Sequence, residues 1–310
     1  MHKWALQKKT LPLLFWTLLL VLFTVLSGCG GQAKNQEGHT NAAQEGGMDS
    51  AQEGKQEGSE GSSQAEAAAN GQEPAIIQKI RKRGYLLAGC KTDVPGLSMY
   101  DGKADAWAGL EIELAYQTAA ELFGVSIDEA KQQGLVQFVG VTVADREEKL
   151  EQQEVDCLFA TYTITKERQE KFAFSNSYYT DYIGMMVKSS GEDANSLGTS
   201  DIRSIADLDG KKIGVAKNAT TRKMFLDYMD TMNNLKTAPM FFEYKSYEAL
   251  FQALLEGSID VMAVDVSILN GYVDHTTKIL NDRFGGQRYG AAVRKEDVAL
   301  LDYINAALGQ

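Results

Sequence analysis

Apolar residues in the C-terminal three quarters of the chain recur in short runs that alternate with segments of helical spacing. Runs typical of buried strands span Tyr85–Cys90, Leu135–Val141 and Val155–Thr161. Between them, Gly109–Gly124 places apolar residues on one helix face before a terminal glycine, and Ala144–Gln153 has the pattern of a polar helix. The order predicts a β-α-β-α-β unit, in which helices cover a parallel sheet.

A second unit repeats this pattern. Strands are predicted at Lys211–Ala216, Met240–Lys245 and Ser258–Asp265, with helices starting at Asn218 and spanning Ser246–Gly257. We therefore expect two similar α/β lobes rather than one continuous domain.

Two extended segments, Tyr182–Lys188 and Lys278–Lys295, are the candidate connections between these lobes. The predicted first lobe comprises residues 74–183 and 285–310. The predicted second lobe comprises residues 184–284.

The N-terminus has the pattern of a targeting signal. Basic residues precede the apolar run Leu11–Leu26, which is short for a spanning helix. The segment Leu26–Cys29 then resembles the lipobox of bacterial lipoproteins, which implies cleavage of a signal peptide at residues 1–28 and a lipid on Cys29. The alternative is an ordinary signal peptide with a chance cysteine.

Residues 29–73 would then begin with the lipidated cysteine and continue as a tether. The segment is rich in Gly, Gln, Glu, Ala and Ser and has almost no large apolar residue. Such a composition buries too little surface to offset the entropy lost on ordering, so the sequence predicts disorder.

The formal net charge of -11 over 310 residues narrows the choice of partners. It argues against nucleic acid, because phosphate binding needs clustered cations, and against docking on anionic lipid through a basic face.

Cys90 and Cys157 both fall in predicted buried strands. They are either core thiols or, outside the cytoplasm, a disulfide, and the sequence leaves both open.

Three hydroxyl side chains and an arginine follow the third predicted strand. They are Thr161, Thr163, Thr165 and Arg168. Open parallel sheets bind ligands beyond the carboxyl ends of their strands. With Thr165 as N-cap, a side chain in the first turn leans back toward the helix start, so Arg168 would present its five-donor fork beside the threonines. This arrangement suits a carboxylate, whereas the alternative is an exposed surface arginine.

The second unit offers complementary groups at the corresponding places. The loop Asn218–Thr221 opens a helix whose free amides attract an anion, although the same residues also make ordinary helix caps. Asp265 ends an apolar strand, where it either caps the next turn or meets a ligand cation. Together, Arg168, the loop amides and Asp265 complement the zwitterion of an α-amino acid.

Several segments, in order along the chain, resemble the motifs of family 3 solute-binding proteins of amino-acid ABC importers. They are Arg83–Ser98 with its D-x-P loop, Gly109–Ala115, Glu154–Tyr179 with its T-x-T-x-x-R core, Ser204–Thr221 and Tyr247–Asp265. The resemblance implies a type II periplasmic-binding fold, in which two parallel-sheet lobes joined by two crossover strands close over the ligand.

The resemblance also implies roles for individual residues. The ligand carboxylate would be bound by Arg168 and by the backbone of Asn218, Ala219 and Thr220. The ammonium would be bound by Asp265, Thr163 and the backbone of Ala160 and Thr161. Asp93 completes the expected site, together with Leu97, which stands where many members place an aromatic ring over the ligand.

Three positions depart from the family pattern. Ser177 replaces a usual proline, and Asn218 replaces a glycine but tolerates left-handed angles. Leu97 lacks the aromatic ring, for which Tyr100 or Trp107 could substitute.

The side chain of the ligand is less determined. The K-T-D-x-P-G start resembles members that take glutamate or another polar amino acid. Lys91, Arg222 and Lys245 could each supply a second cation, but we expect each to be a solvated charge.

The first alternative function is an enzyme of the same fold, of the dehydratase or lytic transglycosylase type. It would need a carboxylic acid poised over the ligand, for which Glu243 and Asp93 are candidates. The sequence lacks G-x-S-x-G, H-E-x-x-H and C-x-x-C, and His275 is the single histidine beyond the signal and tether. We therefore expect no catalysis, no metal and no cofactor.

The second alternative is a ligand-sensing module. The main hypothesis is a monomeric lipoprotein at the extracytoplasmic face of the cell membrane, which captures a polar amino acid and delivers it to the permease subunits of an ABC importer.

Overall fold

The computed structural model describes residues 72–189, 200–232 and 237–309. The predicted signal peptide, Cys29 and almost all of the tether lie outside these residues. Within the part of the chain that the structure describes, no helix combines the length and the apolar character needed to cross a membrane.

The first sheet has five strands in the order β5-β1-β6-β14-β7. These are β1 (Leu86–Lys91), β5 (Val136–Val141), β6 (Cys157–Phe159), β7 (Phe172–Phe174) and β14 (Ala292–Arg294). Strands β1, β5 and β6 are parallel, as the β-α-β-α-β pattern predicts, whereas β14 runs antiparallel to its neighbours.

Helices α1 (Ala75–Arg83), α2 (Leu110–Phe123) and α9 (Leu300–Ala307) pack with this sheet around one hydrophobic core. Short helices α3 (Ile127–Gln132), α4 (Arg146–Glu151) and α5 (Lys166–Lys171) complete the first lobe. A small antiparallel sheet of β2 (Asp93–Val94), β3 (Ser98–Asp101) and β4 (Ala106–Ala108) follows β1.

The second sheet has the order β10-β9-β11-β8-β12, with β13 paired to β8. Its strands are β8 (Tyr179–Lys188), β9 (Lys212–Ala216), β10 (Met240–Tyr244), β11 (Val261–Asp265), β12 (Thr277–Ile279) and β13 (Phe284–Tyr289). Strands β9, β10 and β11 are parallel. The accompanying helices are α6 (Thr221–Met232), α7 (Tyr247–Glu256) and α8 (Val266–Tyr272), with a 3₁₀ turn at Ile205–Asp207. A second 3₁₀ turn, Lys295–Asp297, directly follows β14 of the first sheet.

Two antiparallel strands, β8 and β13, carry the chain between the two sheets, and their registers place Tyr179 opposite Tyr289 and Ile183 opposite Phe284. The rings of Tyr179 and Tyr289 stack with centroids 5.7 Å apart. The predicted connection at Lys278–Lys295 is more complex than expected, because it starts inside β12, continues through β13 and enters β14 of the first sheet. The crossover is therefore a two-stranded ribbon.

Both cysteines of the folded part are free thiols with no exposed surface. Cys90 lies opposite Phe159, and Cys157 lies opposite Ala88 on the neighbouring strand. Burial raises the pKa of both thiols. Of the two possibilities that the sequence left open, the structure shows core thiols.

Candidate functional site

A cavity of about 280 Å³, including the space at its mouth, lies at the carboxyl ends of β6, β9 and β11. Its lining includes six of the residues that the sequence singled out: Thr161, Thr163, Arg168, Ala219, Thr220 and Asp265. The first three come from the first lobe and the others from the second.

Arg168 lies in the first turn of α5, where the Thr165 hydroxyl accepts a hydrogen bond from the Arg168 amide at 3.2 Å. This confirms the predicted N-cap. The guanidinium is buried, and it donates to the Thr163 carbonyl at 2.9 Å and to the Asn218 carbonyl of the second lobe at 3.0 Å. Burial lowers the pKa of Arg168 to about 10, which leaves the group charged at neutral pH.

Thr161 adopts a left-handed backbone conformation, with φ of 46°, which is costly for a β-branched residue. Its amide donates to the buried carboxylate of Glu111 at 2.6 Å. The carbonyls of Ala160 and Thr161 accept from the Arg146 guanidinium at 2.7 and 3.3 Å. These backbone groups, expected to meet an ammonium, are thus bonded within the protein. What Thr161 adds to the cavity wall is a buried hydroxyl without a hydrogen-bond partner.

Gln287 of β13 joins the two walls. Its Oε1 atom accepts from the hydroxyl of Thr163 at 2.6 Å and from that of Thr220 at 2.8 Å. The side-chain nitrogen donates to the Gly285 carbonyl. Both threonine hydroxyls are thereby oriented by a residue of the crossover ribbon.

Asn218 and its neighbours form the loop that precedes α6. Asn218 has a φ of 63°, in the left-handed region that the sequence analysis expected it to tolerate. Its side chain donates to the Ala144 carbonyl of the first lobe at 3.1 Å. Thr220 and Thr221 follow at the helix start, where the first amides have no partner within the helix.

Asp265 ends β11 and is buried, with 8% of its surface exposed. Its Oδ2 atom accepts from the Tyr289 hydroxyl at 2.5 Å, and the same hydroxyl lies 3.2 Å from Oδ2 of Asp181. Burial raises the pKa of Asp265 from 3.8 to about 7, the Tyr289 hydrogen bond opposes the shift, and nearby Asp181 adds to it. A cation in the cavity would therefore stabilise the ionised form.

Comparison with known proteins settles the family. The model of bacterial extracellular solute-binding proteins, family 3, matches residues 86–310. The chain belongs to this family.

Among relatives of this family 3 protein, the ABC transporter glutamine-binding protein GlnH of Bacillus subtilis is 29% identical over 251 residues, which are 79% of this chain and 82% of the relative. The glutamate-binding protein GluB of Corynebacterium efficiens is 25% identical over 235 residues, which are 73% and 74% of the two chains.

A solved structure is also similar: the ancestral amino acid-binding protein AncCDT-1, a precursor of cyclohexadienyl dehydratase. It is 26% identical, with a TM-score of 0.59, and the match covers 76% of this chain and 93% of that one. The family 3 protein thus has the type II periplasmic-binding fold that its sequence implied. Proteins of this family act outside the cytoplasm.

Sequence reasoning missed three residues that line or organise the cavity. Arg146 starts α4 and lines the cavity, although the sequence assigned its segment only to a polar helix. Tyr247 of α7 provides an aromatic wall from the second lobe. Gln287 lies in the predicted crossover. The signal for Arg146 was its position just after a strand end, the same criterion that identified Arg168.

Several expected residues lie elsewhere. Asp93 is paired with Lys91, whose Nζ atom lies 2.9 Å from the Asp93 carboxylate. Leu97 is buried and does not line the cavity, although it belongs to the same apolar cluster as Val264 and Ile268, which do. Tyr100 and Trp107 do not replace the missing ring: they pack on each other, with centroids 5.0 Å apart, away from the cavity lining.

The expected cations and acids also differ in their surroundings. Lys91 was expected to be solvated, and this was wrong: the residue is 1% exposed, and burial lowers its pKa. Arg222 and Lys245 are exposed, as expected. Glu243 pairs with Arg222 on the surface and does not line the cavity. In the ranges that the structure describes, no group of three or more His, Cys, Asp and Glu side chains could hold a metal ion.

Proposed function

We propose that this family 3 protein binds one polar amino acid, glutamate-like or other, between its two lobes and delivers it to the permease of an ABC importer. The observation that carries the proposal is the pairing of a buried guanidinium, Arg168, with a buried carboxylate, Asp265, on opposite walls of one cavity. A small zwitterion neutralises both charges at once, and no single-charge ligand does so.

Individual groups receive roles in this proposal. Arg168 binds the ligand carboxylate, with the helix start at Thr220 and Thr221 providing further donors. Asp265 binds the ammonium together with the hydroxyl of Thr161. Thr163 orients this end of the cavity through Gln287.

The lobes, proposed to span residues 74–183 with 285–310 and 184–284, close around the ligand. Contacts that span both lobes support this: Arg168 with the Asn218 carbonyl, and Asn218 with the Ala144 carbonyl. Each contact made only when the lobes meet favours the closed state, and a ligand that touches both walls shifts the equilibrium further.

The test is a thermal-shift screen of residues 74–310 against the twenty amino acids. Binding to the folded state alone raises stability by about 2.7 kcal/mol at a ligand concentration of one hundred times Kd. We expect one or a few polar amino acids to raise Tm. A screen in which none of the twenty does so contradicts the proposal.

Arg168→Met should weaken binding by about 3–5 kcal/mol, because the ligand carboxylate and the site lose a buried charge partner. Isothermal titration with the best amino acid of the screen measures the effect. Arg222→Met is the matched control, since it removes an arginine of similar charge that is exposed outside the cavity. Equal affinities of the Arg168 variant and the parent would exclude this role.

Catalysis is not part of the proposal. Neither Glu243 nor Asp93, the two candidate acids, lines the cavity. After incubation with the protein, the bound amino acid should be recovered unchanged by NMR, whereas a new product would favour an enzyme of the same fold.

The proposed location is the outer face of the membrane, with a lipid on Cys29 and the protein as a monomer. Cys29→Ser should release the protein from cell membranes into the medium or periplasm, and light scattering should give the mass of one chain.

A further inference from the structure

Thr161 holds a backbone conformation that its own side chain disfavours. Its φ of 46° lies in the left-handed region, which is unfavourable for a β-branched residue. Four non-glycine residues of the described ranges have a positive φ, and only Thr161 among them is buried or β-branched. A conformation of this kind persists where the surrounding structure imposes it.

The carboxylate of Glu111 contacts the backbone of Thr161 from α2. Glu111 lies in the first turn of this helix and has no exposed surface. Its Oε1 atom accepts a hydrogen bond from the Thr161 amide at 2.6 Å and another from the Tyr178 hydroxyl at 2.5 Å. The Thr161 amide and the Ala160 carbonyl belong to one peptide plane, and that carbonyl accepts from Arg146 at 2.7 Å. Both edges of the plane are thus bonded, and its orientation sets the φ of Thr161.

A carboxylate at position 111 is costly for the fold. Burial raises the pKa of Glu111, and the two hydrogen bonds and the charges of Arg146 and Lys91 only oppose this shift. The second oxygen, Oε2, is buried without a hydrogen-bond partner. A buried acid with an unpaired oxygen destabilises the folded state, whereas an apolar side chain would not. What the acid contributes to the molecule is its pair of hydrogen bonds.

Glu111 does not line the cavity, whereas Thr161 does. Their bond therefore connects a buried acid of the first lobe to the wall of the site. The hydroxyl of Thr161 is buried at this wall and has no hydrogen-bond partner among the described residues. Rotation of the Ala160–Thr161 peptide would move this hydroxyl, because it shifts the Cβ atom that carries it.

We propose that Glu111 is a positioning residue for ligand binding: its carboxylate holds Thr161 in the left-handed conformation and so directs the Thr161 hydroxyl into the cavity. The inference rests on the proposed function, in which this hydroxyl and Asp265 bind the ligand ammonium. Without the acid, Thr161 relaxes toward the extended region, and the hydroxyl leaves the place where it meets the ammonium.

The test removes the acid in two backgrounds, one of which needs no positioning. Glu111→Leu is made in the parent and in Thr161→Gly, because glycine adopts left-handed angles without strain. Isothermal titration with L-glutamate and L-glutamine measures the affinities. We expect Glu111→Leu to weaken binding about 30-fold in the parent background, but by less than about threefold in the Thr161→Gly background.

Two further variants serve as controls. Glu111→Gln keeps an acceptor oxygen for the Thr161 amide, so its affinity should stay within about fivefold of the parent value. Tyr178→Phe removes the other hydrogen bond to the same Oε1 atom and leaves the Thr161 bond in place. It should lower Tm but keep the affinity within about threefold of the parent value.

A second measurement needs no ligand. The Cα and Cβ chemical shifts of Thr161 report its backbone angles by NMR. We expect left-handed values in the parent and in Glu111→Gln, and extended values in Glu111→Leu. If Glu111→Leu does not fold alone, its combination with Thr161→Gly decides: recovered folding supports the inference, and an unfolded double variant contradicts it.

Three results would overturn the inference. Equal losses of affinity from Glu111→Leu in both backgrounds would mean that the acid acts on the core and not through Thr161. A lower Tm without a loss of affinity would limit Glu111 to fold stability. Left-handed shifts that persist in Glu111→Leu would mean that other contacts hold Thr161. A parent that binds none of the twenty amino acids would instead refute the proposed function, and the Thr161 shifts would still test the role of Glu111.

Discussion

At the scale of single residues, Asp265 combines two properties that oppose each other. Its carboxyl is buried at the end of β11 beside Asp181, which raises its pKa to about 7, yet its proposed task needs the charged form. Arg146, Arg168 and the Tyr289 hydroxyl favour the ionised state from other sides. Ligand binding at this residue is therefore coupled to a proton near neutral pH.

Affinity should fall in acid. Below pH about 7 the carboxyl of the ligand-free protein is protonated and cannot pair with an ammonium, so affinity should decrease about tenfold for each pH unit. Titration calorimetry between pH 5 and 8 measures this slope. An Asp265→Asn variant should bind weakly with no such dependence; a flat profile for the parent would contradict the assignment.

The stability of the ligand-free protein should change in the opposite direction. The carboxyl of Asp265 holds its proton more tightly in the folded protein than in the unfolded chain. Between pH 3.8 and about 7, the unfolded chain therefore loses the proton while the folded protein keeps it, and each increase in pH lowers the free energy of unfolding. The contribution of Asp265 to the free energy of unfolding is thus largest in acid and is lost as pH rises through this window. Comparing denaturant unfolding of the parent and Asp265→Asn at pH 5 and 8 isolates it from other groups.

Residue roles were predictable where they depend on local sequence. Thr165 and Arg168 lie three positions apart, so helix capping alone places the arginine. Gln287 could not be found in this way, because it meets Thr163 from 124 residues further along the chain. Arg146 had a local signal, its place after β5, but its guanidinium is bonded to carbonyls of Ala160 and Thr161, which follow β6 and are not neighbours in its own segment.

At the scale of elements, the loop before α6 depends on the left-handed conformation of Asn218. Asn218→Gly and Asn218→Ala both remove the side-chain bond to Ala144, and they differ only in the Cβ atom. We expect the alanine variant to be less stable than the glycine variant by about 1–2 kcal/mol, because left-handed angles disfavour a Cβ. Denaturant unfolding measures the difference. Equal stabilities would mean that the loop adopts other angles in solution.

The strands that the sequence located best are the central ones. Strands β1, β9 and β11 are buried on both faces and therefore read as continuous apolar runs. The hairpin of β3 and β4 was missed, since its residues are largely exposed and carry no apolar alternation. Short strands at a sheet edge form because they pair with segments elsewhere in the chain, and the local sequence pattern carries no information about those partners.

At the scale of the whole molecule, the two lobes meet directly at Gly271 of α8 and Pro95 of the loop after β2. A Cβ atom added at position 271 would lie 2.6 Å from Cδ of Pro95, and Gly271 has no unusual φ that the substitution would strain. Gly271→Ala should therefore hinder closure without disturbing either lobe.

We expect Gly271→Ala to weaken ligand binding about tenfold, because the added methyl group and the Pro95 ring would overlap when the lobes are closed. The open form has no such overlap, so the Tm of the ligand-free protein should stay within about 2 °C of the parent value. Small-angle scattering should show a larger radius of gyration at ligand saturation than for the parent. Gly102→Ala is the control, because its nearest atom would be 3.8 Å away within the same hairpin.

Pro95→Ala in the Gly271→Ala background removes the opposing ring atoms and should restore affinity. Failure of this rescue would mean that position 271 acts within α8 and not across the lobes.

The two-lobe plan was predictable because the strand and helix pattern occurs twice along the chain. How the lobes meet was not, since the apolar cluster that joins Val94, Leu97 and Val143 to Val264 and Ile268 combines segments more than one hundred residues apart.

The burial of the Cys90 and Cys157 thiols makes it simple to label this protein with fluorescent dyes at chosen positions. With both sulfurs inaccessible, a domain starting at residue 74 offers no reactive site to a maleimide dye. A pair of cysteines engineered on the outer faces of the two lobes could then be labelled cleanly, without first replacing native ones. The domain is thus a convenient starting point for a fluorescent biosensor of its own ligand.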